Sequence, residues 1–128
     1  MTIITELEIS FYNTKTSNDY HELKDKAEKN KNSQEARIFL AIRKVIDSLK
    51  DSCSKKIVVS PPNTRAISRN KISSDIKTLL IKYGANILWS SVLHDKWRMD
   101  YFTAKGSDNR LMVIILIGDH KEHEKLLN

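Results

Sequence analysis

Cysteine is nearly missing from this chain of 128 residues, and glycine and proline are scarce: one Cys, three Gly and two Pro. A lone cysteine, Cys53, cannot close an internal disulfide. No Cys-x-x-Cys or Cys/His spacing suggests zinc, so a reducing, cytoplasmic setting is expected. Three glycines leave no Gly-x-Gly-x-x-Gly or Walker loop to cradle a nucleotide, and His-Glu-x-x-His does not occur, so no cofactor and no metal are expected. The longest apolar run, 111–117, has seven residues, against roughly 18–20 needed to span a bilayer, so no membrane partner is expected. The opening Met1-Thr2-Ile3-Ile4 is soon followed by Glu6 and Glu8, unlike the basic and then apolar start of a secretory signal.

What the chain does have is positive charge in one place. The net charge is +6. Residues 1–54 hold nine Lys/Arg and nine Asp/Glu, whereas residues 55–110 hold eleven against four, a net of +7. Concentrated positive charge attracts polyanions by releasing their counterions, which favours nucleic acid over an ordinary lysine-rich solvated surface. Forty per cent of the residues are apolar, enough for one core, and 1–128 reads as a single domain.

The periodicities define elements. Residues 6–12 alternate polar and apolar, as a half-buried strand does, with Leu7, Ile9 and Phe11 on one side. Thr16, Ser17 and Asn18 offer caps for a short charged helix over 19–29. Ser33 can cap a helix over about 34–50, in which Ile38, Ile42, Val45, Ile46 and Leu49 make one apolar face. Residues 56–59 suggest a short strand, stopped by Pro61-Pro62. Ser73 or Ser74 can cap a third helix ending at Gly84. Residues 87–92 and 97–103 read as strands, 105–109 as a turn, and 111–117 as a strand covered on both faces. A short terminal helix is expected over 120–127. The expected class is α+β: an antiparallel sheet with an N-terminal helix pair packed mainly on one face.

Alternation along 97–102 puts Trp97, Met99 and Tyr101 on one face and Arg98, Asp100 and Phe102 on the other. An arginine within a strand presents a fixed fork to a phosphate, or else pairs with Asp100 or another acid. The following strand ends in Gly118-Asp119-His120, which brings a histidine, a proton donor or acceptor near neutral pH, to a neighbouring strand end. Otherwise His120 is an exposed side chain without a role. His120 and His123, with Glu124, have a spacing that could serve a metal, but three-apart histidines are common by chance and a solvated terminal helix is the better account.

The segment WRMDYFTAKGSDNRLMVIILIGDHKEHEKLL resembles the C-terminal half of toxins of the RelE/ParE superfamily. Those proteins end in a strand bearing an Arg-x-x-Tyr-like element, a hairpin, an apolar strand and a basic or histidine-containing segment. The helix pair after the first strand resembles that fold too, while residues 60–93 depart from it and read as a central insertion. The resemblance implies a metal-independent endoribonuclease toxin that cleaves mRNA, free or on the ribosome, and is held by a cognate antitoxin protein. It implies that Arg98 holds the scissile phosphate, that His120 transfers a proton, and that Tyr101 orients or stacks a base. Lys96 and His94 would add charge, and Arg65, Arg69 and Lys71 would grip the RNA backbone. Two other functions fit the basic patch: a nucleic-acid-binding regulator without catalysis, and a small protein-binding inhibitor with an acidic partner.

Overall fold

A computed structural model describes residues 7–55, 63–105 and 110–126, with side chains of 52–55 and 126 left aside. Among the described residues the chain is α+β, with one five-stranded sheet and four α-helices. Strand β1 (Leu7–Phe11) leads into helices α1 (Thr14–Lys29) and α2 (Gln34–Lys55). Strand β2 (Thr64–Ala66), a 3-10 turn (Arg69–Lys71) and helix α3 (Ser74–Lys82) follow. Strands β3 (Trp89–Val92), β4 (Trp97–Lys105) and β5 (Arg110–Asp119) precede helix α4 (His120–Leu126).

The sheet order is β1-β5-β4-β3-β2, and the sheet is mixed rather than purely antiparallel, because β1 runs parallel to β5. The cause is the crossover: the helix pair carries the chain off the sheet, so β1 is left free to accept the last strand beside it. The pairing of β4 with β5 is the hairpin expected from the sequence, from Trp97↔Asp119 to Lys105↔Arg110, with a register step between Asp100 and Tyr101. Its turn residues 106–109, like the strand expected over 56–59, lie outside the described residues.

Each strand face has its own core. On one face α2 supplies Ile38, Ile42, Val45, Ile46 and Leu49, which pack with Met99, Tyr101, Met112, Ile114 and Ile117. On the other, Ile72, Ile76 and Leu80 pack with Leu88, Phe102, Ala104, Val113 and Ile115. Strand β5 thus serves both cores, which is why it is apolar at every position over 111–117. The second core amends the expectation of a sheet covered mainly on one face. Within the 60–93 stretch, read as an insertion, residues 63–93 add two strands to the sheet and a helix over its second face.

Caps fix the helix ends. Helix α1 begins five residues earlier than expected, because the carboxamide oxygen of Asn13 accepts the Thr16 backbone N–H at 2.9 Å. The buried Thr16 hydroxyl donates to the carbonyl oxygen of Ile115 at 3.0 Å and ties α1 to β5. Ser33 Oγ accepts from Ala36 N–H, 3.1 Å, and starts α2 as expected. Asp119 Oδ1 accepts from Glu122 N–H, 2.9 Å, which stops β5 and starts α4 at His120. Gly84 takes φ +68°, the left-handed conformation that ends α3. None of the helices among the described residues is long and apolar enough to cross a membrane.

Candidate functional site

Helix α4 leaves the end of β5 and folds back over the second face of the sheet, and the polar chemistry gathers beneath it. Gly118 pairs with Arg98 across β5 and β4. A Cβ at Gly118 would run into the Glu122 side chain of α4, so the missing side chain makes room for this turn. Arg98, half-buried, and His120, exposed, line one pocket of about 290 Å³ together with Lys96, Asp95, Val92 and Trp97. Lys96 is set there by a tight β3–β4 turn. Leu93 N–H donates to the Trp97 carbonyl at 2.9 Å, and Asp95 takes φ +58°.

The arginine is not consumed by Asp100. Its Nη1 is buried without a hydrogen-bond partner among the described residues. A guanidinium nitrogen withdrawn from water and left without an acceptor is a costly arrangement, and a bound anion would satisfy it. His120 makes an exposed ion-pair contact with Glu124, Nε2 to Oε1 2.8 Å, one helical turn on.

Asp100 instead turns to α4. Its Oδ2 lies 2.5 Å from Nδ1 of His123, and both side chains are buried, Asp100 completely. The two atoms share a hydrogen bond, and Nε2 is the imidazole's other polar atom. His123 also lines a second pocket, of about 160 Å³, with Arg65, Ala66, Ile67, Ser68 and Lys71. Sheet register explains the meeting. Arg65 pairs with Ser90, and Ser90 with Asp100, so the three stand in one row across β2, β3 and β4 on the face beneath α4. The Ser90 hydroxyl and Asp100 Oδ1, neighbours in this row, are both buried without hydrogen-bond partners among the described residues. The rings of His120 and His123 stack with centroids 6.3 Å apart, so the histidines of the two pockets touch.

The structure therefore brings together Arg98, His120 and Lys96, and separately Arg65 and Lys71. Arg69 is exposed on the 3-10 turn beside Lys71 and lines neither pocket. His94 is half-buried in the β3–β4 turn, and its carbonyl accepts from Trp97 N–H at 3.1 Å. It does not line the Arg98 pocket.

Tyr101 belongs elsewhere. It is fully buried in the core under α2, on the opposite face from Arg98, and offers no ring to a base. Strand alternation forces this, since Arg98 and Tyr101 are an odd number of residues apart. Burial pushes its phenol above the ordinary value, against the opposing pull of the Ser91 and Thr64 hydroxyls. Asp100 and His123 are the residues that sequence reasoning did not assign to a site.

A third cleft, of about 230 Å³, opens between α1, α2 and Trp97. Its charges pair with each other, Lys15 with Asp19 and Lys26 with Glu22, both at 2.9 Å, so none converges on an absent ligand. Among the described residues no group of three His, Cys, Asp or Glu side chains is placed to hold a metal ion. Compared with family models, with curated proteins and with solved structures, the chain gives no match.

Proposed function

We propose that this protein is a metal-independent endoribonuclease of toxin type, acting on mRNA at the Arg98–His120 pocket. One observation carries the reading: Arg98, with a buried Nη1 that lacks an acceptor, shares a pocket with a solvent-accessible histidine and with Lys96. Those are the parts that transesterification of RNA requires. The 2′-oxygen attacks the adjacent phosphorus, and the bond from phosphorus to the 5′-oxygen breaks. The products are a 2′,3′-cyclic phosphate and a 5′-hydroxyl. Arg98 and Lys96 hold the non-bridging oxygens as negative charge grows on them. His120 passes a proton, either taking it from the 2′-hydroxyl or giving it to the leaving 5′-oxygen. The exposed Arg65, Arg69 and Lys71 extend the positive surface along which a strand would lie.

The test is incubation of the protein with RNA in EDTA, with and without ribosomes, scoring cyclic phosphate ends. Arg98→Ala should slow cleavage roughly 10²–10³-fold and His120→Ala roughly 10²–10⁴-fold, with the fold retained by circular dichroism. Growth arrest on expression, relieved by co-expression of a small neighbouring reading frame, would support the toxin assignment and an antitoxin partner. Binding of RNA without cleavage under either condition would replace this reading with that of a regulator lacking catalysis.

A further inference from the structure

We propose that the pocket bounded by Arg65, Ser68 and Lys71 is a phosphate-binding subsite whose floor is His123, held in place by Asp100. Its ligand is a phosphate group, and in RNA this would be the phosphate next to the one held by Arg98. That last assignment rests on the ribonuclease reading, while the subsite itself does not.

Three features converge. First, the two pocket cations are exposed side chains on separate elements, Arg65 on β2 and Lys71 on the 3-10 turn, yet both line the same small concavity. Second, the concavity is floored by an imidazole whose Nδ1 is committed to a fully buried carboxylate. That bond engages Nδ1 and orients the ring, as a carboxylate behind a functional histidine does, with Nε2 as the ring's other polar atom. Third, Asp100 Oδ1 has no hydrogen-bond partner among the described residues, so the carboxylate's hydrogen bonding there is directed at His123. The imidazole thus joins the two cations as a polar group of the pocket lining.

Arg98 and Asp100 lie two residues apart on one face of β4, and the two pockets neighbour each other through His120 and His123. The groups near the ring are Asp100 from β4, Arg65 from β2, Lys71 from the 3-10 turn, and His120 on α4 itself.

The experiment uses the full chain with 15N-labelled histidine and follows the imidazole nitrogens by NMR during titration with inorganic phosphate, against chloride at matched ionic strength. A saturable shift of the His123 Nε2 resonance is expected with phosphate and not with chloride. Arg65→Ala/Lys71→Ala should weaken phosphate binding roughly ten- to a hundredfold, the loss of charge-assisted hydrogen bonds. His123→Asn places an amide N–H where Nδ1–H was, keeping the tether to Asp100 while removing Nε2 from the pocket. It should fold and lose phosphate binding. A His123 resonance that phosphate does not move, or unchanged affinity in the Arg65/Lys71 variant, overturns the subsite whether or not His123→Asn folds. The two readings fail separately. Phosphate bound at His123 by a protein that cuts no RNA leaves the subsite and removes the ribonuclease. RNA cleavage with an unmoved His123 does the reverse.

Discussion

The Asp100–His123 pair should reveal itself by an unequal cost of losing its two halves. Both groups are buried and 2.5 Å apart, and the other carboxylate oxygen has no hydrogen-bond partner among the described residues. Substituting His123→Ala strands the carboxylate in the protein interior, and breaking a buried pair this way costs about 3–5 kcal/mol. Substituting Asp100→Ala leaves an imidazole without its partner. The cost is then the lost hydrogen bond and its unsatisfied donor, about 1–3 kcal/mol.

For a chain of 128 residues, unfolding entropy at the midpoint is about 0.27 kcal/mol per degree. His123→Ala should therefore lower Tm by roughly 11–19 °C and Asp100→Ala by roughly 4–11 °C. The double variant strands neither group and should lose less than the two single losses added together, with a coupling of about 0.5–3 kcal/mol. Thermal melts by circular dichroism, checked by urea titration with constant m, measure all four corners of the cycle. Equal losses from the two single variants, or strict additivity, would refute a buried carboxylate that depends on this histidine.

The basic middle of the chain should make RNA binding fall steeply with salt, and Arg65→Ala/Arg69→Ala/Lys71→Ala together should flatten the slope of log K against log salt by roughly 2, measured by fluorescence anisotropy on a single-stranded RNA at several salt concentrations. Burial raises the Tyr101 phenol pKa above its ordinary value of 10.0, so above pH about 10 the unfolded chain loses this proton first. Stability should fall as pH rises past that point, and Tyr101→Phe should fall less steeply in urea titrations from pH 9 to 11. Ile42, fully buried in the α2 core, should cost about 2–5 kcal/mol when changed to Ala, read from the urea midpoint. Gly84→Ala, at φ +68°, should cost about 1 kcal/mol although nothing lies within 4 Å of the added carbon.

Much of the candidate site was legible because it depends on local rules. Strand alternation placed Arg98 and Asp100 on one face, and the turn signal at 105–109 gave the β4–β5 hairpin that brings His120 back toward Arg98. The same alternation put Tyr101 with Met99 and Trp97 on the other face, and burial under α2 then removed it from any site. His123 was harder. In a helix of seven mostly charged residues, HKEHEKL, nothing local marks the histidine as the position turned inward, and its spacing from His120 is best accounted for by a solvated helix. Its partner lies 23 residues earlier in the chain.

The amino-acid order alone thus determined the elements and their faces: the apolar stripe of α2, the doubly covered strand β5, the hairpin, and the concentration of positive charge between 55 and 110. These follow from periodicity, capping and turn chemistry, which act over a few residues. Only the tertiary structure decided that β1 lies parallel to β5, that 63–93 builds the far edge of the sheet and covers its second face, and that Arg65, Ser90 and Asp100 share a row beneath α4. Strand order and cross-sheet rows are set by which buried surfaces fit together once the chain has closed its long loops. A burial of that kind is a property of the packed whole, so no segment of the sequence carries it.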